Sequence, residues 1–181
     1  MVDKINKKKT VLLGVTASIA AYKACDIINE FRRNKIEVVV CMSKDAEQFI
    51  TPLTLQTLSG NRVYSNMFSP EGVWEPMHIS LAERASVVLV APATSNIISK
   101  VACGICDDLL ASVIASTKSP VLFAPAMNDA MFDNKILQEN IAKLKKVGYR
   151  FIEPIIGHLA CGKIAKGHIA DVATMLRKVK P

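Results

Sequence analysis

A chain of 181 residues that is half hydrophobic and only 22% charged has ample material for a packed core and too little charge for disorder. No apolar run approaches the roughly 20 residues of a membrane-spanning helix, and no apolar signal region follows the basic start MVDKINKKKT. The net charge of +7 is spread over an N-terminal tail (residues 1–9: Lys4, Lys7, Lys8, Lys9), the far end (Arg177, Lys178, Lys180) and one predicted helix (Lys143, Lys145, Lys146). With no aromatic residues between these cations, nucleic-acid binding is not expected.

Thr10–Val15 is apolar and β-branched and predicts a first strand. It runs into Gly14-Val15-Thr16-Ala17-Ser18-Ile19-Ala20-Ala21, a small-residue turn before a helix over Ser18–Arg33. Ser18 is the N-cap candidate, and Ile19, Tyr22, Ile27 and Phe31 fall on or near one helical face. Free backbone N–H groups at such a helix start suit a phosphate, with Thr16 and Ser18 hydroxyls adding contacts. The other reading is an ordinary tight turn with a Ser cap. The segment is neither Gly-x-Gly-x-x-Gly nor a P-loop, which favours a mononucleotide phosphate over a dinucleotide or ATP.

Ile36–Met42 predicts the second strand and ends in Met42-Ser43-Lys44-Asp45, again a hydroxyl at a helix start. Two short helices follow, over Asp45–Phe49 and Pro52–Leu58. Asn61–Pro76 has no clear period, and His78–Arg84 predicts a helix. Ser86–Ala91 is the third strand, leading into Ala91-Pro92-Ala93-Thr94-Ser95-Asn96. Helices are expected over Ser95–Val101 and Asp107–Ser116, with Cys103 and Cys106 packed as buried helix residues rather than as a metal or redox pair.

Pro120–Ala124 is the fourth strand and spills into Pro125-Ala126-Met127-Asn128-Asp129-Ala130-Met131-Phe132. Two Met and one Asn at a strand's carboxyl end suit a ligand, with soft apolar walls and one two-faced polar anchor. Asn128 as a simple helix cap is the alternative. Asn134–Val147 predicts a helix, Tyr149–Glu153 a fifth strand and Ala170–Val179 a last helix. Pro154–Gly167 is irregular, and 155–169 is expected to be a substrate-covering loop.

Apolar runs alternating with helical patterns imply an α/β fold, a flavodoxin- or Rossmann-like doubly wound parallel sheet in three α/β/α layers, with residues 1–181 as one domain. Ligands of such sheets sit at the strands' carboxyl ends. Three polar strand ends on one sheet edge suggest a ligand with several oxygens. Two further residues draw attention. His78 starts a short helix, and Cys161 sits between Ala160 and Gly162 in a late loop, where a thiol fills no core. An ordinary thiol is mostly protonated at neutral pH and can donate a proton. Five scattered cysteines without a secretion signal read as reduced thiols of a cytoplasmic protein.

Together, Gly14–Lys23 (GVTASIAAYK), His78-Ile79, Ala91–Asn96 (APATSN), Gly104–Leu110 (GICDDLL), Pro125–Phe132 (PAMNDAMF) and Leu159–Gly167 (LACGKIAKG) resemble the homo-oligomeric flavin-containing Cys decarboxylases. The resemblance implies FMN as cofactor, with contacts at Thr16, Ala17, Ser18, Ile19, Ser43, Thr94, Ser95, Asn96, Ile97 and Ala126. It implies His78 as active-site histidine and Cys161 as proton donor of a reductive step. Asn128 would hold the substrate's cysteinyl carboxylate, with Met127, Met131, His158 and Ala160 beside it. The Ala-Cys-Gly segment points within the family to decarboxylation of 4′-phosphopantothenoylcysteine in coenzyme A biosynthesis, through a thioaldehyde that acts as electron sink for CO2 loss. The resemblance also implies a homotrimer, or a dodecamer built from trimers, with the flavin between subunits. Many bacterial relatives carry a fused ligase, so the chain is either a stand-alone enzyme or one domain of such a protein. A peptidyl-cysteine decarboxylase and a non-catalytic regulatory flavoprotein are the rival readings. Phe132, Ala17 and Ile97 depart from the family's usual Trp, Gly and Thr, and His168 sits near where some relatives have Arg or another residue.

Overall fold

The computed structural model describes residues 9–68 and 76–180. The tail lysines Lys4, Lys7 and Lys8, and the Ser69–Glu75 part of the aperiodic stretch, lie outside the described residues. Six parallel strands form one sheet in the order β3-β2-β1-β4-β5-β6. These are β1 (Thr10–Val15), β2 (Glu37–Met42), β3 (Val63–Tyr64), β4 (Val87–Ala93), β5 (Val121–Pro125) and β6 (Arg150–Phe151).

Helices cover both faces, and the strands' two-residue alternation decides which side chains each face receives. Val11, Leu13 and Val15 of β1, with Val38, Val40 and Met42 of β2, meet α1 (Lys23–Arg33), α2 (Pro52–Ser59) and α8 (Val172–Val179). Leu12, Val39 and Cys41 face the opposite layer. That layer holds α3 (Met77–Arg84), α4 (Ser95–Ala102), α5 (Leu109–Ser116) and α7 (Lys135–Lys146). Gly14 lets α5 approach β1 closely, because a Cβ there would lie 2.8 Å from Leu110 Cδ1. A one-turn α6 (Asp129–Phe132) follows β5. An antiparallel hairpin, β7 (Ile155–His158) and β8 (Ile164–His168), stands apart from the main sheet.

The three-layer doubly wound fold expected from the sequence is the one observed. Four details differ, and the first is β3, a short edge strand within the stretch expected to be aperiodic. The helix expected from Ser18 opens as a 3-10 turn, Ile19–Tyr22, because the Ser18 carbonyl accepts from Ala21 N and Ser18 Oγ from Ala20 N. Ile19 and Tyr22 are therefore 62% and 54% exposed, and the core face of α1 is Ala24, Ile27, Ile28 and Phe31. Cys103 and Cys106 are exposed in the turn between α4 and α5, not buried in a helix, because α4 stops at Ala102. Ile105 N there donates back to Lys100 O. Finally, the stretch expected to be an irregular covering loop contains the β7–β8 hairpin.

Candidate active site

The strand order reverses between β1 and β4, and a crevice opens there at the carboxyl ends of the strands. Thr16 spans it. Its Oγ1 donates to Pro92 O at 2.7 Å and accepts from Thr94 N at 3.1 Å, so one buried hydroxyl ties the two turns together. The Ala91–Pro92 peptide is cis, and the β4–β5 register shifts between Val90 and Ala93. Thr94 Oγ1 caps α4 through Ile97 N. Ser18 Oγ reaches across to Ala126 O at 3.4 Å.

These contacts wall a cradle of about 530 Å³ lined by Thr16, Ala17, Ser18, Ser43, Thr94, Ser95, Asn96, Ile97 and Ala126. Of the ten residues expected to hold a cofactor, only Ile19 is absent from it. Lys100 and Asp108 also line it, unforeseen from the sequence. Burial disfavours the Lys100 ammonium, but hydrogen bonds to Asp107 (2.7 Å) and Asp108 (2.8 Å) outweigh that and hold its pKa above the usual lysine value. Lys100 is thus neutralised by its own neighbours. Ser43 Oγ is buried with no hydrogen-bond partner among the described residues. An unmet buried hydroxyl costs about 1–3 kcal/mol, so a ligand atom is its natural partner.

A second cleft, of about 430 Å³, shares Ser18, Ala126 and Met127 with the cradle and adds Asn128, His158, Ala160 and Cys161. Asn128 does two jobs. Its Oδ1 accepts from Ala130 N at 2.9 Å, capping α6, while Nδ2 points at Cys161 Sγ, 3.6 Å away. The helix-cap reading of this residue is realised by Oδ1. The hairpin carries Cys161 to this place. Leu159 N donates to Lys163 O at 2.8 Å to close the tip, and Met127 N donates to Gly167 O at 3.1 Å to dock β8 on the Asn128 segment. Gly167 has φ +139°, and a Cβ there would lie 2.3 Å from Met127 O. No other residue fits that contact.

Three expected site residues sit elsewhere, and the first, Ile19, lines the Cys161 cleft instead of the cradle. Met131 lines the cradle rather than the Cys161 cleft and is 49% exposed. His78, in the first turn of α3, lines neither cleft. The cleft also includes Lys23, Leu159, Gly167 and His168. Among the described residues, no cluster of three or more His, Cys, Asp or Glu can hold a metal, and no helix is long and apolar enough to cross a membrane.

The protein-family model described as "Flavoprotein" matches residues 2–180. The chain is 44% identical over 174 residues to a probable phosphopantothenoylcysteine decarboxylase of Streptococcus mutans, covering 95% of this chain and 97% of that protein. It is also 44% identical over 167 residues to the coenzyme A biosynthesis bifunctional protein of Borreliella burgdorferi, covering 92% of this chain but 43% of that one. The chain thus spans less than half the length of that bifunctional relative. Among solved structures, it is similar to a cysteine-to-serine mutant of PPC decarboxylase complexed with pantothenoylaminoethenethiol (TM-score 0.86, 29% identity, 96% and 97% coverage). It is similar also to the FMN binding protein AtHal3 (TM-score 0.81, 29% identity, 96% and 95% coverage).

Proposed function

The chain belongs to the flavoprotein family, and we propose that it is an FMN-dependent phosphopantothenoylcysteine decarboxylase. It forms 4′-phosphopantetheine from 4′-phosphopantothenoylcysteine in coenzyme A biosynthesis. The observation that carries the reading is the Asn128 Nδ2–Cys161 Sγ approach of 3.6 Å, in a cleft that opens onto a hydroxyl-rich cradle.

FMN fits the cradle. Backbone and hydroxyl groups of Thr16–Ser18, Ser43 and Thr94–Ile97 would hold it, and the orphaned Ser43 Oγ gains a partner. When bound, FMN supplies reversible two-electron redox chemistry to the substrate's thiol-bearing carbon. The chain's own groups do the rest. Asn128, with Oδ1 locked by the α6 cap, has only NH2 to offer and so presents a donor to the substrate carboxylate. A carboxylate held there is oriented rather than neutralised, and CO2 can leave once the adjacent carbon is oxidised. Cys161 Sγ, beside that same amide, gives its proton in the reductive step. Met127 lines both clefts and gives their junction an apolar wall.

His78 is the remaining participant, and within one chain it is outside both clefts. A homotrimer, or a dodecamer of trimers, with the flavin between subunits would bring the His78 of one subunit to the clefts of another. It would also cover Ile19, Tyr22 and Met131, which stand exposed at the cleft walls. The cytoplasm, with its reduced thiols, is the compartment this chemistry requires. A peptidyl-cysteine decarboxylase needs no reductive cysteine, and the placement of Cys161 beside Asn128 favours the small-molecule substrate.

Cys161→Ser tests the assignment. It should bind FMN and release CO2 but stall before the final reduction, accumulating an oxidised product. Normal phosphopantetheine formation by this variant would remove Cys161 from the role.

A further inference from the structure

Three consecutive residues after β5 grip the hairpin. Met127 N donates to Gly167 O at 3.1 Å, Asn128 Nδ2 approaches Cys161 Sγ at 3.6 Å, and Asp129 Oδ2 lies 3.8 Å from Lys163 Nζ. At the base of the hairpin, Lys166 lies 3.7 Å from Glu153 and over the Phe132 ring. Ile155, Ile156 and Ile164 are exposed, so apolar burial contributes little to the docking. Polar contacts set where the tip lies.

Asp129 Oδ1 is buried with no hydrogen-bond partner among the described residues, a costly state for an acceptor. Lys163 is the cation beside it. Its ammonium has three donors, and at 3.8 Å from Oδ2 it stops about 1 Å short of a charge-assisted hydrogen bond. Lys163 also moves with Cys161. Leu159 N donates to Lys163 O at 2.8 Å, Gly162 N donates to Leu159 O at 2.9 Å, and Gly162 has φ +86°. These bonds close residues 159–163 into one tight turn, so holding Lys163 holds the thiol two residues away. Neither Asp129 nor Lys163 lines the cradle or the Cys161 cleft.

We propose that Asp129 is a positioning residue for the reductive step: through Lys163 it latches the hairpin tip and keeps Cys161 Sγ against Asn128. This rests on the decarboxylase reading above. The reductive step follows CO2 loss. The carbon that bore the carboxylate takes a proton from Cys161 Sγ, and the carbon bearing sulfur takes a hydride equivalent from the reduced cofactor. The thiolate left on Cys161 regains its proton from water. A loosened tip therefore slows product reduction and spares CO2 release. The Lys163 side chain is 67% exposed, so the pair is water-screened and its loss costs a few-fold in rate, not orders of magnitude.

The test is a double-mutant cycle on FMN-loaded protein, with Asp129→Asn, Lys163→Gln and both together. Single-turnover mixing with 4′-phosphopantothenoylcysteine follows CO2 and phosphopantetheine separately. Each single variant should form phosphopantetheine about threefold to fivefold more slowly, with CO2 release within about twofold of native. The double variant should be no slower than the slower single one, because both remove the same contact. Hydrogen exchange at the Met127 amide, which needs no turnover, should rise by about twofold to fivefold in each variant. A loss in Asp129→Asn alone would assign the effect to the first turn of α6 and overturn the latch. Additive losses, unchanged product formation, or equal slowing of CO2 release would overturn it too. If the native protein releases no CO2, the decarboxylase reading fails by itself. The exchange measurement still decides the latch, and native protection in both single variants sinks it.

Discussion

Gly167→Ala isolates the link between the hairpin and the chemistry. The added Cβ would sit 2.3 Å from Met127 O and 3.4 Å from Met127 C, on a backbone with φ +139°. Carbon–oxygen contacts lie at roughly 3.3 Å or more, so about 1 Å must open between β8 and the Met127–Asn128 segment. The Met127 N–Gly167 O hydrogen bond, now 3.1 Å, is lost at a cost of about 1 kcal/mol. Strain at the positive φ adds about 1–3 kcal/mol. The hairpin's Ile155, Ile156 and Ile164 are exposed, so the hairpin yields while the sheet core stays intact. Hydrogen exchange at the Met127 amide should therefore rise by about 30-fold or more, with the melting temperature of the core within a few degrees of native. Because Cys161 rides on the hairpin, a displacement of about 1 Å should lower kcat/KM by about a hundredfold. Native protection at Met127 together with native kcat/KM would refute the reasoning.

Three further outcomes follow from particular contacts. Phe132, buried beneath the Lys166 ammonium at 5.1 Å, borders a void of about 50 Å³ walled also by Phe151 and Ile141. Phe132→Trp should fill it and raise stability in urea denaturation by about 1 kcal/mol; a loss of stability would show that an indole does not fit that space. Asn128→Asp keeps an oxygen to cap α6 but replaces the only donor with a charge that repels the substrate carboxylate. Its fold should be unchanged by circular dichroism and its turnover abolished, and retained turnover would count against the anchor. Asp171 caps α8, and the Thr174 N–H and hydroxyl hold its carboxyl below the usual range. A depressed carboxyl contributes stability that is present above the unfolded value and lost as pH falls through the folded one. Asp171→Ala should cost about 1 kcal/mol near neutral pH, a gap that closes below about pH 4; a gap independent of pH would exclude the carboxylate as its source.

The sheet was legible because its strands are buried on both faces and so read as unbroken apolar runs between helical patterns. The cradle was legible for a related reason: small and hydroxyl residues at strand ends are conspicuous after such runs. What escaped the sequence has local causes. Val63–Tyr64 pairs with β2 over only two residues, too short for a period. The β7–β8 hairpin exposes Ile155, Ile156 and Ile164, so no inward-facing alternation marks it. Ile19 and Tyr22 fit a helical face on paper, but the Ser18 turn tightens the chain before the helix starts. The C-x-x-C pair looked helical because residues on both sides of it are. His168 was noticed only as a departure from the family, and its place in the Cys161 cleft depends on a hairpin that the sequence did not announce.

The central claim is that this chain uses FMN to decarboxylate a phosphorylated cysteine conjugate, and one spectroscopic experiment meets it directly. Purified protein, reconstituted with FMN if needed, is mixed without oxygen with 4′-phosphopantothenoylcysteine while visible absorbance and CO2 are followed. The account predicts a yellow protein whose flavin absorbance bleaches on mixing as CO2 is released. A colourless protein that takes up no FMN, or bound flavin indifferent to this substrate, would contradict it.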